Sequence, residues 1–162
     1  MCPKLRVLLL ASLLLVISAW PLSAAPVPGD TAAEAQVVDR RLYVGMWTVH
    51  FRDPGRGIEN NWLLGLSWRG LFGATLVNTF GDRAYSAGYQ GMLVSWKAGA
   101  GSLGLGYRVG LVTGYDERFM PLAAKTPVVP LVQPRLTLDG KRLGAEVSYS
   151  GVVASAGFNV RF

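Results

Sequence analysis

Between Ser102 and Thr113 the chain reads SLGLGYRVGLVT, and its apolar residues fall at every second position. Leu103, Leu105, Tyr107, Val109 and Leu111 share one face; Gly104, Gly106, Arg108 and Gly110 share the other. A period of two is a strand, because successive side chains of an extended backbone point to opposite sides. A face built of glycine and arginine is not the inside of an ordinary hydrophobic core. The alternation recurs along the chain, and no segment offers a helix to cover the apolar faces. The pattern therefore predicts a sheet closed on itself with its apolar face outward. In lipid such a barrel satisfies every backbone polar group internally and leaves no edge. The last residues repeat the pattern, with Ala156, Phe158, Val160 and Phe162 opposed to Gly157, Asn159 and Arg161.

The N-terminus fits export. Lys4 and Arg6 precede an apolar run from Val7 to Trp20, and the small residues Ser23, Ala24 and Ala25 follow it. The run is short of the roughly 20 apolar residues a helical span needs, so it reads as a secretory signal peptide. The expected organisation is a signal peptide over 1–24, a short leader over 25–40 with a brief helix from Thr31 to Asp39, and an outer-membrane barrel over 41–162. The one cysteine, Cys2, lies within the signal, so the exported part carries no disulfide framework. Loss of Lys4 and Arg6 with the signal takes the formal charge from +6 to +4. That modest excess is spread along the chain and suits anionic lipid headgroups rather than nucleic acid.

Turn residues divide the remainder into eight antiparallel strands, the smallest closed membrane barrel. The first, Leu42 to Phe51, is expected to set Tyr43, Trp47, Val49 and Phe51 toward lipid and His50 inward. A loop with Asp53, Pro54, Gly55 and Gly57 leads to the second, Ile58 to Trp68, with Trp62, Leu64, Leu66 and Trp68 outward. Arg69-Gly70 turns the chain into the third, Leu71 to Phe80, with Phe72, Ala74 and Leu76 outward. The fourth, Ala84 to Trp96, loses its phase after Gly91, as a bulge would make it do. The fifth is the opening segment. The sixth, Val128 to Leu138, is interrupted by Pro130 and Pro134, which cannot donate to a ladder. It is expected either to pair poorly with a neighbour, leaving the wall locally open, or to begin late, at Arg135. Asp139-Gly140 signals a hairpin into the seventh, Arg142 to Tyr149, with Leu143, Ala145, Val147 and Tyr149 outward. The eighth runs from Val152 to Phe162, and its terminal aromatic matches the signal used by outer-membrane barrel assembly machinery.

Eight strands enclose a lumen filled by side chains or by one small ligand. Glycines on the inner faces of strands four, five and seven are expected either to leave space for something long and thin or to serve strand curvature. His50 is the sole histidine. Its imidazole is the natural general base for a hydroxyl, with Glu59, Asp82 and Glu146 as candidate acids and Ser86 and Ser148 as candidate hydroxyls. Arg83 at the rim and Arg108 on the inner face are candidate substrate-binding cations. A guanidinium suits bidentate phosphate contact, although Arg108 alternatively closes the lumen as an ion pair with Glu146. One histidine and a signal cysteine provide no transition-metal site, and no cofactor is expected.

Four segments in order, WTVHF at 47–51, NTFGDRAY at 78–85, LGLGYRVGLVTGYDERFMPL at 103–122 and TPVVPLVQP at 126–134, resemble the lipid A palmitoyltransferases of Gram-negative outer membranes. The match is best from Leu103 to Phe162. The resemblance implies an all-β fold, an eight-stranded antiparallel transmembrane β-barrel with a lipid-accessible interior pocket. It further implies transfer of a palmitoyl-type chain from a glycerophospholipid donor to lipid A, by a monomer, with prolines opening lateral gaps. His50 then matches the family's His and Asp82 its Asp, while Arg83 stands where the family's Ser should follow. Either Ser86 supplies the hydroxyl, or the machinery is arranged differently, or activity is lost. The alternatives in other classes are a lipid A deacylase and a non-enzymatic structural or adhesion barrel. A deacylase would need a late His-x-Ser pair, which is missing here; adhesion would favour longer loops.

Overall fold

The computed structural model of the chain describes residues 40–51, 60–118, 121–151 and 153–162. The expected signal peptide and leader through Asp39, the loop residues Asp53 to Gly57 and the candidate acid Glu59 lie outside the described residues. Eight strands form: β1 (Arg40–His50), β2 (Leu64–Trp68), β3 (Leu71–Val77), β4 (Arg83–Ala98), β5 (Gly101–Thr113), β6 (Val128–Asp139), β7 (Leu143–Tyr149) and β8 (Val153–Arg161). Each is antiparallel to the next, and β8 returns to pair with β1, which closes the barrel.

Its exposure pattern is the reverse of a soluble core. Leu64, Leu66, Trp68, Leu71, Leu93, Leu111, Leu143 and Phe158 face outward, while Arg41, Gln90, Arg108, Arg135, Asp139, Glu146 and Asn159 are buried. Aromatic side chains cluster on the outer surface near both ends. Trp47 meets Phe158 edge-on at 5.7 Å, Phe51 meets Tyr149 at 5.8 Å, and at the opposite end Arg69 lies over the Trp68 ring. The end that carries the chain terminus has tight connections: Arg69-Gly70, with both residues at positive φ, Gly99 with its neighbour, and the Gly140–Leu143 turn. The opposite end carries the longer connections, among them the β3–β4 loop and the stretch between β5 and β6 with its 3₁₀ turn at Pro121–Ala124.

Two expected facings are corrected. Tyr43 points into the lumen, because β1 bulges at Gly45: Val44 pairs with Phe158 and Met46 with Gly157, so one residue is consumed without a partner. Gly45 takes φ +74, which a side chain would resist. The extra residue flips the alternation, so Trp47 and Val49 face outward as expected while Tyr43 does not. In β3 the expected outward set Phe72, Ala74 and Leu76 faces inward, and Leu71 faces outward. Cross-strand partners share a face, and Phe72 sits between Ser67 of β2 and Gly88 of β4, both on the inner side. Both faces of β3 are apolar, so its alternation carried no directional information.

The irregularities expected in β4 and β6 are present. The register of β4 against β5 shifts between Met92 and Val94. β6 begins at Val128 and pairs with β5 along its whole length, but β7 covers only Arg135–Asp139. Residues 128–134 therefore have a partner on one side only. Pro130 and Pro134, four apart, present their missing N–H groups to one and the same edge. The Asp139-Gly140 hairpin is present, with Gly140 N donating to Leu143 O, but Asp139 itself is the last residue of β6 and points inward.

The expectation that inner-face glycines leave space fails for β4, β5 and β7. Gly88 and Gly110 lie directly opposite each other, and a Cβ on either would run into the backbone carbonyl of the adjacent strand. Glycine here lets two curved strands approach closely, and the interior space lies elsewhere.

Candidate functional site

The lumen is divided in two. Toward the tight-turn end it is filled by paired charges. Arg41 donates to both carboxylate oxygens of Asp139, at 2.6 and 3.0 Å, from opposite walls of the barrel. At mid-height Glu146 receives Arg108 at 3.0 Å and Arg135 at 3.0 Å. Arg108 also donates to Gln90 Oε1, whose amide donates to the Tyr43 hydroxyl at 2.6 Å. The Arg108 guanidinium is sandwiched by ring contacts, 5.2 Å from the Tyr43 centroid and 4.9 Å from Phe72. These groups are nearly all buried, which is tolerable for charges only when each is paired and hydrogen-bonded. The inward turn of Tyr43 has its reason here, since its hydroxyl completes this layer.

Above the ionic layer lies a cavity of about 120 Å³. Tyr43, Phe72 and Arg108 line its lower part, and Ala74, Leu76, Val112 and Val153 supply apolar wall. From His50 at the end of β1 to Tyr43 is seven residues with one bulged, a depth of roughly 15 Å for a tilted strand. Pro130, Leu131, Val132 and Gln133, from the part of β6 that β7 does not cover, line it on one side. The chamber thus adjoins the unpaired stretch of wall.

At the longer-loop end the chamber is lined by His50, Thr79 and Tyr115. His50 Nε2 and Thr79 Oγ1 are hydrogen-bonded at 2.7 Å. Thr79 is buried, on a loop fixed by its neighbour Asn78. The Asn78 carboxamide oxygen accepts from Phe80 N and Asp82 N, its nitrogen donates to Gly114 O at 2.6 Å, and its own N–H donates to Asp82 O. Beneath, Thr48 donates to Asn61, which donates to Val77 O, tying β1, the approach to β2 and β3 together. Burial pushes the Tyr115 hydroxyl up to about 12, so it stays a neutral donor.

Of the residues expected from sequence, the structure brings His50, Ser86 and Ser148 to one chamber. Ser86 lies on the inner face of β4, level with Ala74 and Val112, and the hydroxyl bonded to His50 is that of Thr79 instead. Asp82 is not joined to His50. Its carboxylate is exposed and paired with Arg118 at 3.2 Å, and Arg118 also binds Asp116 and lies over Phe80 at 4.2 Å. The hydrogen bonds from Arg118 hold the Asp116 carboxyl below the usual carboxylate range. Arg83 stands exposed at the start of β4. Arg108 is committed to Glu146 and Gln90, the ion-pair alternative, and so forms the floor of the chamber. The sequence alone does not single out Thr79. The only signal was its place in NTFGDRAY, one residue after an asparagine able to organise a turn.

Comparison with protein-family models and with curated proteins finds no match for this chain.

Proposed function

We propose that this chain is an outer-membrane acyltransferase that moves a palmitoyl-type chain from a glycerophospholipid to lipid A. One observation carries the reading: an imidazole–hydroxyl pair stands at the mouth of a chamber with an apolar wall, Ala74, Leu76, Val112 and Val153, inside a barrel whose outer surface is itself apolar. An apolar exterior over a polar, charge-paired lumen is what a bilayer requires, and the two aromatic clusters suit its interfaces. The longer-loop end, with His50, is then the outer-leaflet side. The stretch of β6 without a β7 partner gives a lipid chain a way into the chamber from the side, without passing the polar mouth.

Acyl transfer asks for a base, a hydroxyl, and a dry slot that positions the ester. A chamber roughly 15 Å deep, closed below by charge, admits the carboxyl-proximal part of a chain with its carboxyl end at His50. His50 Nε2 is the general base, and neighbouring donors such as the neutral Tyr115 hydroxyl stabilise the oxyanion of the tetrahedral intermediate. Arg83 at the rim suits the phosphate of either lipid. Purified protein incubated with radiolabelled phosphatidylethanolamine and lipid A tests the reading. It predicts lysophospholipid and acylated lipid A in equal amounts. Free fatty acid as the only acyl product would replace transfer by hydrolysis, and no turnover by a folded barrel would remove the enzymatic reading.

A further inference from the structure

We infer that Thr79 is the nucleophile of a two-step reaction and carries the acyl chain as an ester between donor and acceptor. The inference rests on the acyl-transfer reading and deepens it, by placing a covalent modification site on the protein. Buried threonine hydroxyls ordinarily satisfy themselves on nearby backbone carbonyls. That of Thr79 is bonded instead to the ring of the chain's one histidine, at 2.7 Å, and both groups line the chamber. A hydroxyl within hydrogen-bond reach of an imidazole is the arrangement by which a weak oxygen nucleophile is activated. The loop is held for the purpose. Asn78 fixes Phe80 and Asp82 through its carboxamide oxygen and anchors the loop to Gly114, so the Thr79 backbone is bracketed by tied residues. Such fixing lowers the entropic cost of reaching the reactive geometry. Ser86, the hydroxyl expected from sequence, lacks this contact with His50.

In the first step Thr79 Oγ1 attacks the donor ester carbonyl and His50 Nε2 takes the hydroxyl proton. The tetrahedral intermediate collapses with cleavage of the bond to the glycerol oxygen, which leaves with that proton as lysophospholipid. In the second step an acceptor hydroxyl attacks the Thr79 ester, His50 takes its proton, and the returning Thr79 oxygen receives it. Bonds made and broken match, and no redox partner is required.

The test uses the purified full chain in detergent with palmitoyl p-nitrophenyl ester or dipalmitoyl phosphatidylcholine and no acceptor. The expected result is a palmitoyl group on the peptide containing Thr79, located by mass spectrometry and removed when lipid A is added. Thr79→Val should lower acyl release by roughly 100-fold or more, while Thr79→Ser should stay within about tenfold of the native chain. Resistance of the barrel to unfolding in dodecyl sulfate checks that each variant is folded. Native activity in Thr79→Val overturns the inference, as does transfer by the native chain with no adduct at Thr79, and either result leaves the acyltransferase reading standing. If the native chain neither releases p-nitrophenol nor transfers, it is that reading which fails. An adduct formed from the p-nitrophenyl ester without transfer to lipid A supports the nucleophile and removes the acceptor.

Discussion

The two halves of the lumen are built on opposite rules. Toward the tight turns, Arg41, Asp139, Arg108, Glu146 and Arg135 form paired contacts that tie β1 to β6 and β7 to β5 and β6, and the register of β4 against β5 shifts once, between Met92 and Val94. Toward the longer loops the wall is irregular: β1 bulges, the regular part of β2 begins only at Leu64, and β6 loses its β7 partner. There the interior mixes apolar side chains with uncharged hydroxyls and amides and contains a cavity, with an imidazole–hydroxyl pair at its mouth. A barrel of this size has little core, and concentrating its cross-links in one half allows the other half to be hollow. The difference teaches that the ionic layer is both the staple of the fold and the floor of the site.

The largest effect is expected where the hollow half meets chemistry. His50→Ala should lower acyl transfer by about 10²–10⁴-fold, measured on labelled phospholipid, with the unfolding midpoint unmoved. The complementary break is in the ionic half. Glu146→Ala leaves Arg108 and Arg135 buried without their carboxylate, and urea unfolding in micelles should report a loss of about 3–5 kcal/mol. If the two variants moved both quantities alike, the division between the halves would be wrong.

Smaller changes sharpen the comparison. Ala74 lines the chamber, and Ala74→Phe should shift donor preference toward shorter chains by about tenfold, read from competing phospholipids of different acyl length. Arg118→Ala, at the exposed rim, should change the rate by less than about threefold, because exposed ion pairs contribute little. The Asp116 carboxyl is depressed by Arg118, so the contribution of that contact is complete above the ordinary carboxylate range and is lost as pH falls through the lowered value. Nothing in this rim contact titrates between pH 5 and 8. The rate above the ordinary carboxylate range should therefore follow the same pH profile in Arg118→Ala as in the native chain.

How far the sequence reached follows the same division. The eight strands, their order and most facings were legible, because polar-in and apolar-out alternate wherever the lumen is charged. Arg108 and Glu146, on the inner faces of β5 and β7, are an example. Where the inner face of a strand is itself apolar, as on β3, the alternation loses contrast and gives the wrong facing. A bulge at Gly45, which composition does not announce, reverses the facing of Tyr43. The glycines of β5 advertised space that belongs to strand curvature. Pro130 and Pro134 did announce the one-sided pairing of β6. In the site, His50 was legible as the one histidine, but its partner was not. Thr79 becomes adjacent only when β1 and β3 are brought together through Thr48, Asn61 and Val77.

The most direct test of the central claim is mass spectrometry of lipid A and phospholipids from cells expressing the native chain or His50→Ala at equal outer-membrane levels. Acyl transfer predicts lipid A heavier by one acyl chain, with lysophospholipid rising alongside, and neither change in His50→Ala. Lipid A unchanged by the native barrel, or modified equally by His50→Ala, would contradict it.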